Sequence, residues 1–251
     1  MKKERYSETF FKRINTYSNK SAEVVEDLLI KKMNGCELRS VLDIGCGTGV
    51  WLKNWEKRGV KEVVGIDNAR ALNDTLMIDP DAYVTHDLSK EIVLNKQFDL
   101  VQSLEVAEHL PLESAAIFIQ NIIRHGKVVL FSAAVPGQGG THHINEQPLS
   151  YWFELFQKHN FEAYDCIRPY IINDKRVEYY YRNNILLYIH KSVNKKVTLQ
   201  LEKYKVSSGS NIKDFSTMPY KIRKKIISFL PRKVVNGLAF LKVLCLVKLK
   251  R

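Results

Sequence analysis

The stretch that decides the fold is Asp43-Ile44-Gly45-Cys46-Gly47-Thr48-Gly49, which lies between a strand-like run at 41–44 and a helix-like run at 50–58. Glycines let a loop turn sharply and bring its backbone close to a ligand. A glycine loop between a strand and a helix is typical of nucleotide-binding sites in α/β domains. The dinucleotide pattern G-x-G-x-x-G would place its last glycine at Val50, so the sequence disfavours NAD and FAD. A carboxylate in the loop, Asp43, suits a ligand that carries an ammonium and a sulfonium better than a pyrophosphate.

Outward from this loop, short runs rich in β-branched residues alternate with helical stretches along most of the chain. Such alternation predicts a mostly parallel sheet with helices on both faces. Strands are predicted at 41–44, 62–66, 82–84, 98–101 and 127–132, and helices at 6–33, 50–58, 112–124 and 148–159. Two further strand-like runs, 177–181 and 185–190, flank Arg182-Asn183-Asn184 and predict an antiparallel hairpin that closes the sheet. The polar run 207–211 predicts a flexible linker.

Acidic residues follow the second and third predicted strands, at the edge where open α/β sheets bind their ligands. Asp67 ends the second strand, 18 residues after Gly49, where a carboxylate can accept hydrogen bonds from both hydroxyls of a ribose. Asp87 and Leu88 follow the third strand. We expect the carboxylate of Asp87 to meet the amino group of an adenine and Leu88 to meet the face of its ring.

These segments resemble the class I methyltransferases, which use S-adenosylmethionine as methyl donor. The likeness covers residues 35–190, and the glycine loop, Gly65-Ile66-Asp67-Asn68 and the strand at 98–101 match the motifs of that superfamily in order and spacing. The resemblance implies a Rossmann-like, mostly parallel sheet of seven strands with a closing antiparallel hairpin. It also implies that the three loop glycines hold the methionine part of the donor, Asp67 the ribose and Asp87 the adenine. The residues expected at the donor site are Asp43, Gly45, Cys46, Gly47, Thr48, Gly49, Asp67, Asn68, Asp87, Leu88 and Glu105.

Two polar loops at the same predicted edge of the sheet are candidates for the chemistry of methyl transfer. Residues 103–111 follow the fourth strand and residues 139–147 follow the fifth. One interpretation is a metal-free general base, because imidazole titrates near neutral pH. Another is a divalent cation that acidifies an acceptor hydroxyl, and a third is a purely structural role. The candidate catalytic residues are His109, His142, His143 and Glu108, and the candidate metal ligands are Glu105, Glu108, His109 and His143.

Two further resemblances bear on the acceptor. The pattern E-x-x-E-H at 105–109 with a later histidine is similar to the metal site of small-RNA 3′-terminal 2′-O-methyltransferases and of quinone-biosynthesis O-methyltransferases. Carboxylate and imidazole ligands suit Mg²⁺, Mn²⁺ or Zn²⁺ without selecting among them. Residues 145–152 and 180–184 resemble methyltransferases encoded among bacterial surface-glycan genes. On that likeness Trp152 and the tyrosines stack on a sugar, and the alternative is that Trp152 packs on the sheet.

The positive charge of the chain is confined to its C-terminal end. The net charge is +12 over 251 residues, yet residues 191–251 carry +14 and residues 1–190 carry −2. Residues 220–230 place apolar side chains at helical spacing among basic ones, and the apolar run 234–247 is too short to span a bilayer. This tail predicts a helix packed against the catalytic domain or a dimer partner, or a peripheral membrane contact through 220–251. A third interpretation is nucleic-acid binding, although no RNA-binding motif accompanies the charge. We divide the chain into an N-terminal helical segment (1–34), a donor-binding domain (35–191) and a basic helical tail (192–251).

The four cysteines show no C-x-x-C spacing, which predicts reduced thiols in a cytoplasmic protein. The N-terminus has no apolar run, which argues against a secretory signal peptide. A peripheral position of the tail at the inner face of the membrane is a hypothesis. The function predicted from the sequence is O-methylation of a sugar hydroxyl in a surface polysaccharide or a lipid-linked glycan. Three alternatives stay open: metal-dependent RNA 2′-O-methylation, O-methylation of a quinone-type small molecule, and a non-enzymatic protein that retains the fold.

Overall fold

The computed structural model describes residues 8–33, 36–68, 75–231, 234–235 and 237. One seven-stranded sheet has the order β3-β2-β1-β4-β5-β7-β6. Its strands are β1 (Ser40–Ile44), β2 (Glu62–Asp67), β3 (Tyr83–Thr85), β4 (Leu100–Leu104), β5 (Val128–Ser132), β6 (Phe161–Tyr164) and β7 (Leu186–His190). The helices are α1 (Glu8–Lys32), α2 (Val50–Lys57), α3 (Ala115–His125), α4 (Leu149–Lys158), α5 (Arg168–Ile171), α6 (Tyr179–Asn184), α7 (Lys195–Thr198) and α8 (Met218–Ser228).

The sheet is covered by helices on both faces. Strands β1 to β5 pair in parallel, and β4 and β5 are buried along their whole length. Because successive strand residues point to opposite faces, Val41 joins the core formed with α1 and α2, whereas Leu42 joins the core formed with α3 and α4. The predicted fold class, a Rossmann-like and mostly parallel sheet between helical layers, is therefore confirmed.

The antiparallel end of the sheet differs from the prediction in one of its strands. β7 lies between β5 and β6 and is antiparallel to both. The strand predicted at 177–181 is wrong, since Tyr179–Asn184 forms the helix α6 and Phe161–Tyr164 takes the place beside β7. Consecutive tyrosines favour a strand by propensity but carry no periodicity, so packing decides the outcome. In α6, Tyr181 is buried edge-to-face against Trp51, with ring centroids 5.2 Å apart.

The chain continues to pack on the domain beyond β7. Leu201 is fully buried, and the N–H of Val206 donates to the carbonyl of Ala163 in β6 at 2.9 Å. The flexible linker predicted at 207–211 is wrong, because a 3-10 turn at Gly209–Asn211 packs against α4 so closely that a Cβ on Gly209 would lie 2.8 Å from Ser150. Packing thus runs across the predicted boundary after residue 191, and the division into three units stays a prediction.

Helix α8 is the last long element that the structure describes, and most of the apolar run predicted at 234–247 lies outside the described residues. Among the helices of the described ranges, none combines the length and the hydropathy that crossing a membrane requires.

Candidate active site

The glycine loop lies at the carboxyl ends of β1 and β2. Gly45, Gly47 and Gly49 all have positive φ, at +92°, +55° and +80°, which is the left-handed region that glycine adopts without strain. The N–H of Gly45 donates to the carbonyl of Ile66 at 2.7 Å, which fastens the loop to β2. A Cβ on Gly45 would overlap the side chain of Val106, so the loop after β4 rests directly on the glycine loop.

Asp43 enters this loop as a buried carboxylate. Its Oδ2 accepts a hydrogen bond at 2.8 Å from the side-chain amide of Gln102, which in turn accepts one at 2.9 Å from the indole N–H of Trp55. Burial raises the pKa of Asp43 to about 7, although the bond from Gln102 favours the ionised form. The carboxylate is therefore held in one orientation and ionises near neutral pH.

The acidic residues after β2 and β3 line the same edge. Asp67 accepts a hydrogen bond at 2.8 Å from the N–H of Gly47, and Asn68 accepts one at 2.7 Å from the N–H of Leu88. The side chain of Leu88 is buried in the core. Asp87 is exposed, and hydrogen bonds from the hydroxyl and the N–H of the residue two positions on lower its pKa, so it stays an ionised acceptor. The contacts predicted for these residues with ribose and adenine stay predictions.

The two polar loops predicted to converge do so. The backbone carbonyl of Glu108 accepts hydrogen bonds from the N–H groups of Ile144 and Asn145, at 2.9 and 3.0 Å. Two residues of these loops, Glu105 and His142, have positive φ, at +57° and +63°. Left-handed backbone at non-glycine residues is uncommon and is concentrated at functional sites. The loops after β4 and β5 therefore form one constrained unit beside the glycine loop.

Glu108, His109 and His143 form a cluster at the meeting point of these loops. One candidate ligand atom from each lies within 4.8 Å of the others, and Nε2 of His143 is 4.0 Å from Oε1 of Glu108. Within the described part of the chain, neither buried carboxylate oxygen of Glu108 has a hydrogen-bond partner. Burial, reinforced by the negative charge of Glu105, raises the pKa of Glu108 well above its usual range. An unpartnered buried carboxylate is costly unless a proton or a cation neutralises it.

The hydrogen bonds of the two imidazoles show which nitrogen faces the cluster. Nδ1 of His143 lies 2.8 Å from Oε1 of Glu146, whose carboxylate also accepts bonds from the N–H groups of Gly137 and Gly139 at 2.8 Å each. Because a carboxylate only accepts, Nδ1 of His143 carries a proton, and in the neutral ring the lone pair is therefore on Nε2. Nδ1 of His109 lies 3.3 Å from a backbone carbonyl, which assigns the same tautomer. Partial desolvation by the surrounding loops and the neighbouring His143 lower the pKa of His109 to about 4, so this ring is neutral at physiological pH although the residue keeps an exposed edge.

The cluster differs from the predicted ligand set at Glu105. In the part of the chain that the structure describes, the cluster includes neither Glu105 nor His142. Glu105 instead accepts hydrogen bonds from the side-chain amides of Gln138 at 2.7 Å and Asn184 at 3.1 Å. His142 contributes its backbone carbonyl to His109 while its imidazole is exposed. The supporting residues Glu146, Gln138 and Asn184 were not among the predicted site residues.

Two of the aromatic residues predicted to stack on a sugar, Trp152 and Tyr181, are in the core. Trp152 is buried against Phe131 and Tyr151, with ring centroids 5.4 and 5.0 Å apart. Tyr181 is buried as well. The sugar-stacking role of Trp152 and Tyr181 is therefore wrong, because α4 and α6 turn these rings toward the sheet and α2.

Comparisons with known proteins identify a family that this chain matches. A family model described as a methyltransferase domain matches residues 4–161. The chain is similar to the ubiquinone biosynthesis O-methyltransferase of Alkalilimnicola ehrlichii, with 27% identity over 137 residues, 51% of this chain and 51% of that protein. The enzyme of the same name from Neisseria meningitidis serogroup C is 31% identical over 125 residues, 45% of this chain and 47% of that protein. The chain thus spans about half the length of the curated relatives it matches.

Solved structures share the fold at low sequence identity. Magnesium protoporphyrin IX methyltransferase from Synechocystis PCC 6803, with bound S-adenosylmethionine, has a TM-score of 0.52 and 18% identity, and the match covers 74% of this chain and 86% of that one. The methyltransferase domain of the bacterial protein CtHen1-C has a TM-score of 0.52 and 16% identity, covering 68% of this chain and 98% of that one. At such low identities these structures are evidence of a shared fold alone.

Proposed function

We propose, because this chain belongs to the family of methyltransferase domains, that the protein transfers the methyl group of S-adenosylmethionine to a hydroxyl oxygen of a small acceptor. The predicted family and the predicted donor are confirmed. The observation that carries the choice of a hydroxyl is the cluster of Glu108, His109 and His143. Glu108 and His109 lie in the loop that packs on the glycine loop through Val106 and Gly45, and His143 joins them from the loop after β5, so that imidazoles lie beside a buried carboxylate.

The chemistry requires alignment and the removal of one proton. A bond forms between the acceptor oxygen and the methyl carbon while the carbon–sulfur bond breaks, and the sulfonium becomes a neutral thioether. The hydroxyl proton has to leave, and we assign its acceptance to Nε2 of His143. Glu146, on the opposite nitrogen of the ring, stabilises the imidazolium that results. The rigid pairing of the two loops through Glu108 holds these groups in position.

The same residues fit a divalent cation. Glu108 supplies a carboxylate without a partner among the described residues, and His109 and His143 supply imidazoles whose outer nitrogens are already hydrogen-bonded. Outer hydrogen bonds of this kind are usual for metal-bound histidines. A cation held there would lower the pKa of the acceptor hydroxyl. With Glu105 held by two amides, we propose Glu108, His109 and His143 as the protein ligands.

The cleft beside His143 and the names of the relatives support one choice of acceptor class. This cleft of about 210 Å³ mixes polar loop residues with apolar residues of α8 and the chain after it, and is lined by Pro136, Gly140, His143, Ile144, Ile227 and Leu230. A small phenol with an apolar substituent suits such a lining, and the curated relatives are named for ubiquinone biosynthesis. The sugar acceptor loses the support of Trp152 and stays a prediction, as do the cytoplasmic location and the RNA alternative.

The experiment is methyl transfer from labelled S-adenosylmethionine to three acceptors, an alkylated phenol, a sugar and a short RNA, each with and without a chelator. We expect label in the phenol, and its loss on chelation would mean that the cluster works with a cation. Label that survives chelation would instead assign the proton transfer to His143 alone. Label confined to the sugar or the RNA would reject the phenol, and no label in any acceptor would reject O-methylation.

Cation binding has a readout that does not depend on activity. Calorimetric titration with Mn²⁺ or Zn²⁺ should show one site in the wild type and none in Glu108→Gln. Glu113→Gln removes an exposed carboxylate from the next turn and serves as the matched control. Equal binding by all three proteins would place the cation elsewhere.

A further inference from the structure

Helix α8 turns one face toward the active-site loops. The guanidinium of Arg223 donates to the carbonyl of Gln138 at 3.0 Å, and the ammonium of Lys224 donates to the hydroxyl of Ser216 at 3.0 Å. The backbone of Lys224 comes so close to Gly137 that a Cβ there would overlap its carbonyl group. These contacts fix the orientation of the helix, because two of its side chains donate hydrogen bonds and its backbone packs on Gly137.

The opposite face of α8 is apolar and exposed. At about 100° per residue, three apolar residues of the helix and Phe229, which caps its C-terminal end, fall within an arc of roughly 80°. They form the apolar stripe, and their exposed fractions are 67% for Met218, 55% for Ile222, 58% for Ile226 and 79% for Phe229. Lys221 and Lys225 are exposed along one border of this stripe. Contiguous apolar surface rimmed by charge marks an interaction site rather than ordinary surface.

Charge decides which partner suits the stripe. Residues 191–251 carry +14, so two copies that met through this face would bring two strongly basic tails together. An anionic lipid surface accepts both features, because its acyl region takes the apolar side chains and its headgroups attract the lysines. A nucleic acid would pair with the lysines and leave the apolar stripe in water.

We propose that α8 inserts the apolar stripe into the interfacial region of an anionic membrane, with Lys221 and Lys225 at the level of the headgroups. Ile227, next to Ile226 in sequence, faces inward and lines the cleft that contains His143. Docking through the stripe therefore brings the cleft to within about one helix diameter, roughly 10 Å, of the membrane surface. Under the proposed function, an acceptor with an apolar chain then reaches His143 from the bilayer.

Vesicle co-sedimentation of the full chain tests the docking without donor or acceptor, so its result is independent of the methyl-transfer assay. The vesicles are phosphatidylcholine alone or phosphatidylcholine with phosphatidylglycerol. The wild type should sediment with the anionic vesicles. Ile222→Ser/Phe229→Ser should weaken partitioning at least about tenfold, because two apolar side chains no longer enter the bilayer. Lys221→Gln/Lys225→Gln should weaken it by about fivefold per lysine, on anionic vesicles only.

The matched control is Val93→Ser/Leu199→Ser, which changes two residues of similar exposure, 52% and 76%, on other surfaces. This control should bind like the wild type. The proposal is overturned if the wild type stays in the supernatant, or if the stripe variant sediments as well as the wild type. It is also overturned if light scattering shows a dimer that Ile222→Ser/Phe229→Ser dissociates, since a second copy would then cover the stripe.

Discussion

Gly45→Ala perturbs the donor loop in two ways that the structure separates. Gly45 has a φ of +92°, and a Cβ there would lie 2.7 Å from one methyl carbon of Val106 and overlap the other. Gly59, after α2, has nearly the same φ, +89°, but the space beside it is open among the described residues. Comparison of Gly45→Ala with Gly59→Ala therefore isolates the steric overlap from the backbone strain.

The expected magnitudes follow from these two contributions. Left-handed backbone costs a non-glycine residue about 1–2 kcal/mol. Alanine also lowers the conformational entropy of the unfolded chain, which offsets this cost by about 0.4–1 kcal/mol. Overpacking adds about 1–3 kcal/mol for Gly45→Ala alone. We expect the free energy of unfolding to fall by roughly 1 kcal/mol for Gly59→Ala and by roughly 2–4 kcal/mol for Gly45→Ala.

Urea unfolding of the two variants, of Val106→Ala and of the double variant Gly45→Ala/Val106→Ala measures these values. Removal of the Val106 methyl groups relieves the overlap, so the double variant should lose about 1–2 kcal/mol less than the sum of the two single losses. Donor affinity should fall for Gly45→Ala and stay unchanged for Gly59→Ala. Losses that add within about 0.5 kcal/mol would mean that Val106 does not pack on the glycine loop, and the geometry of the donor site would be refuted.

Four further predictions follow from single contacts. Glu108→Gln should raise the free energy of unfolding of the metal-free protein in urea at neutral pH by about 1–3 kcal/mol, because burial raises the pKa of Glu108 and folding therefore has to protonate this carboxyl, a cost that glutamine avoids. Donor affinity, measured by calorimetry, should fall as the pH drops through about 7, where Asp43 becomes protonated and no longer attracts a cationic ligand, and Asp43→Asn should flatten this profile. Gly140→Ala places a Cβ where the His143 ring lies, so kcat should fall while the KM for donor stays unchanged. Leu201→Ala should cost about 2–5 kcal/mol in urea unfolding, which would establish that the chain beyond residue 191 belongs to the folded domain.

Most of the sheet could be predicted from the sequence because its parallel strands are short apolar runs bounded by turns. β1, β2 and β5 are observed within one residue of their predicted limits. The edge strand β6 was missed, since Phe161-Glu162-Ala163-Tyr164 contains no β-branched residue and its strand conformation comes from pairing with β7. Helix α6 was misread for the converse reason, because a tertiary contact with Trp51 outweighs the strand propensity of tyrosine.

The candidate site shows where local patterns stop being informative. The sequence places Glu105 and Glu108 in one motif and gives no reason to separate them. The structure gives them opposite surroundings, since Glu105 binds amides that lie 33 and 79 residues away in the chain, at Gln138 and Asn184. Glu108 meets two imidazoles instead. Contacts between such distant residues cannot be derived from spacing within a motif, whereas the glycine loop could be, because its geometry is local.

Helix α8 packs on the loop that orients His143. This contact determines how the proposals of methyl transfer and of membrane docking can be tested separately. The N–H group of Gly137 binds Glu146, Glu146 orients His143, and the backbone of Lys224 packs on the same Gly137. Deletion of α8 therefore removes the packing that supports the imidazole, and activity should fall even on an acceptor dissolved in water. Such a loss carries no information about membranes. Substitution of the exposed stripe leaves the inner face intact, so it should weaken vesicle binding at least about tenfold and keep the activity on the dissolved acceptor.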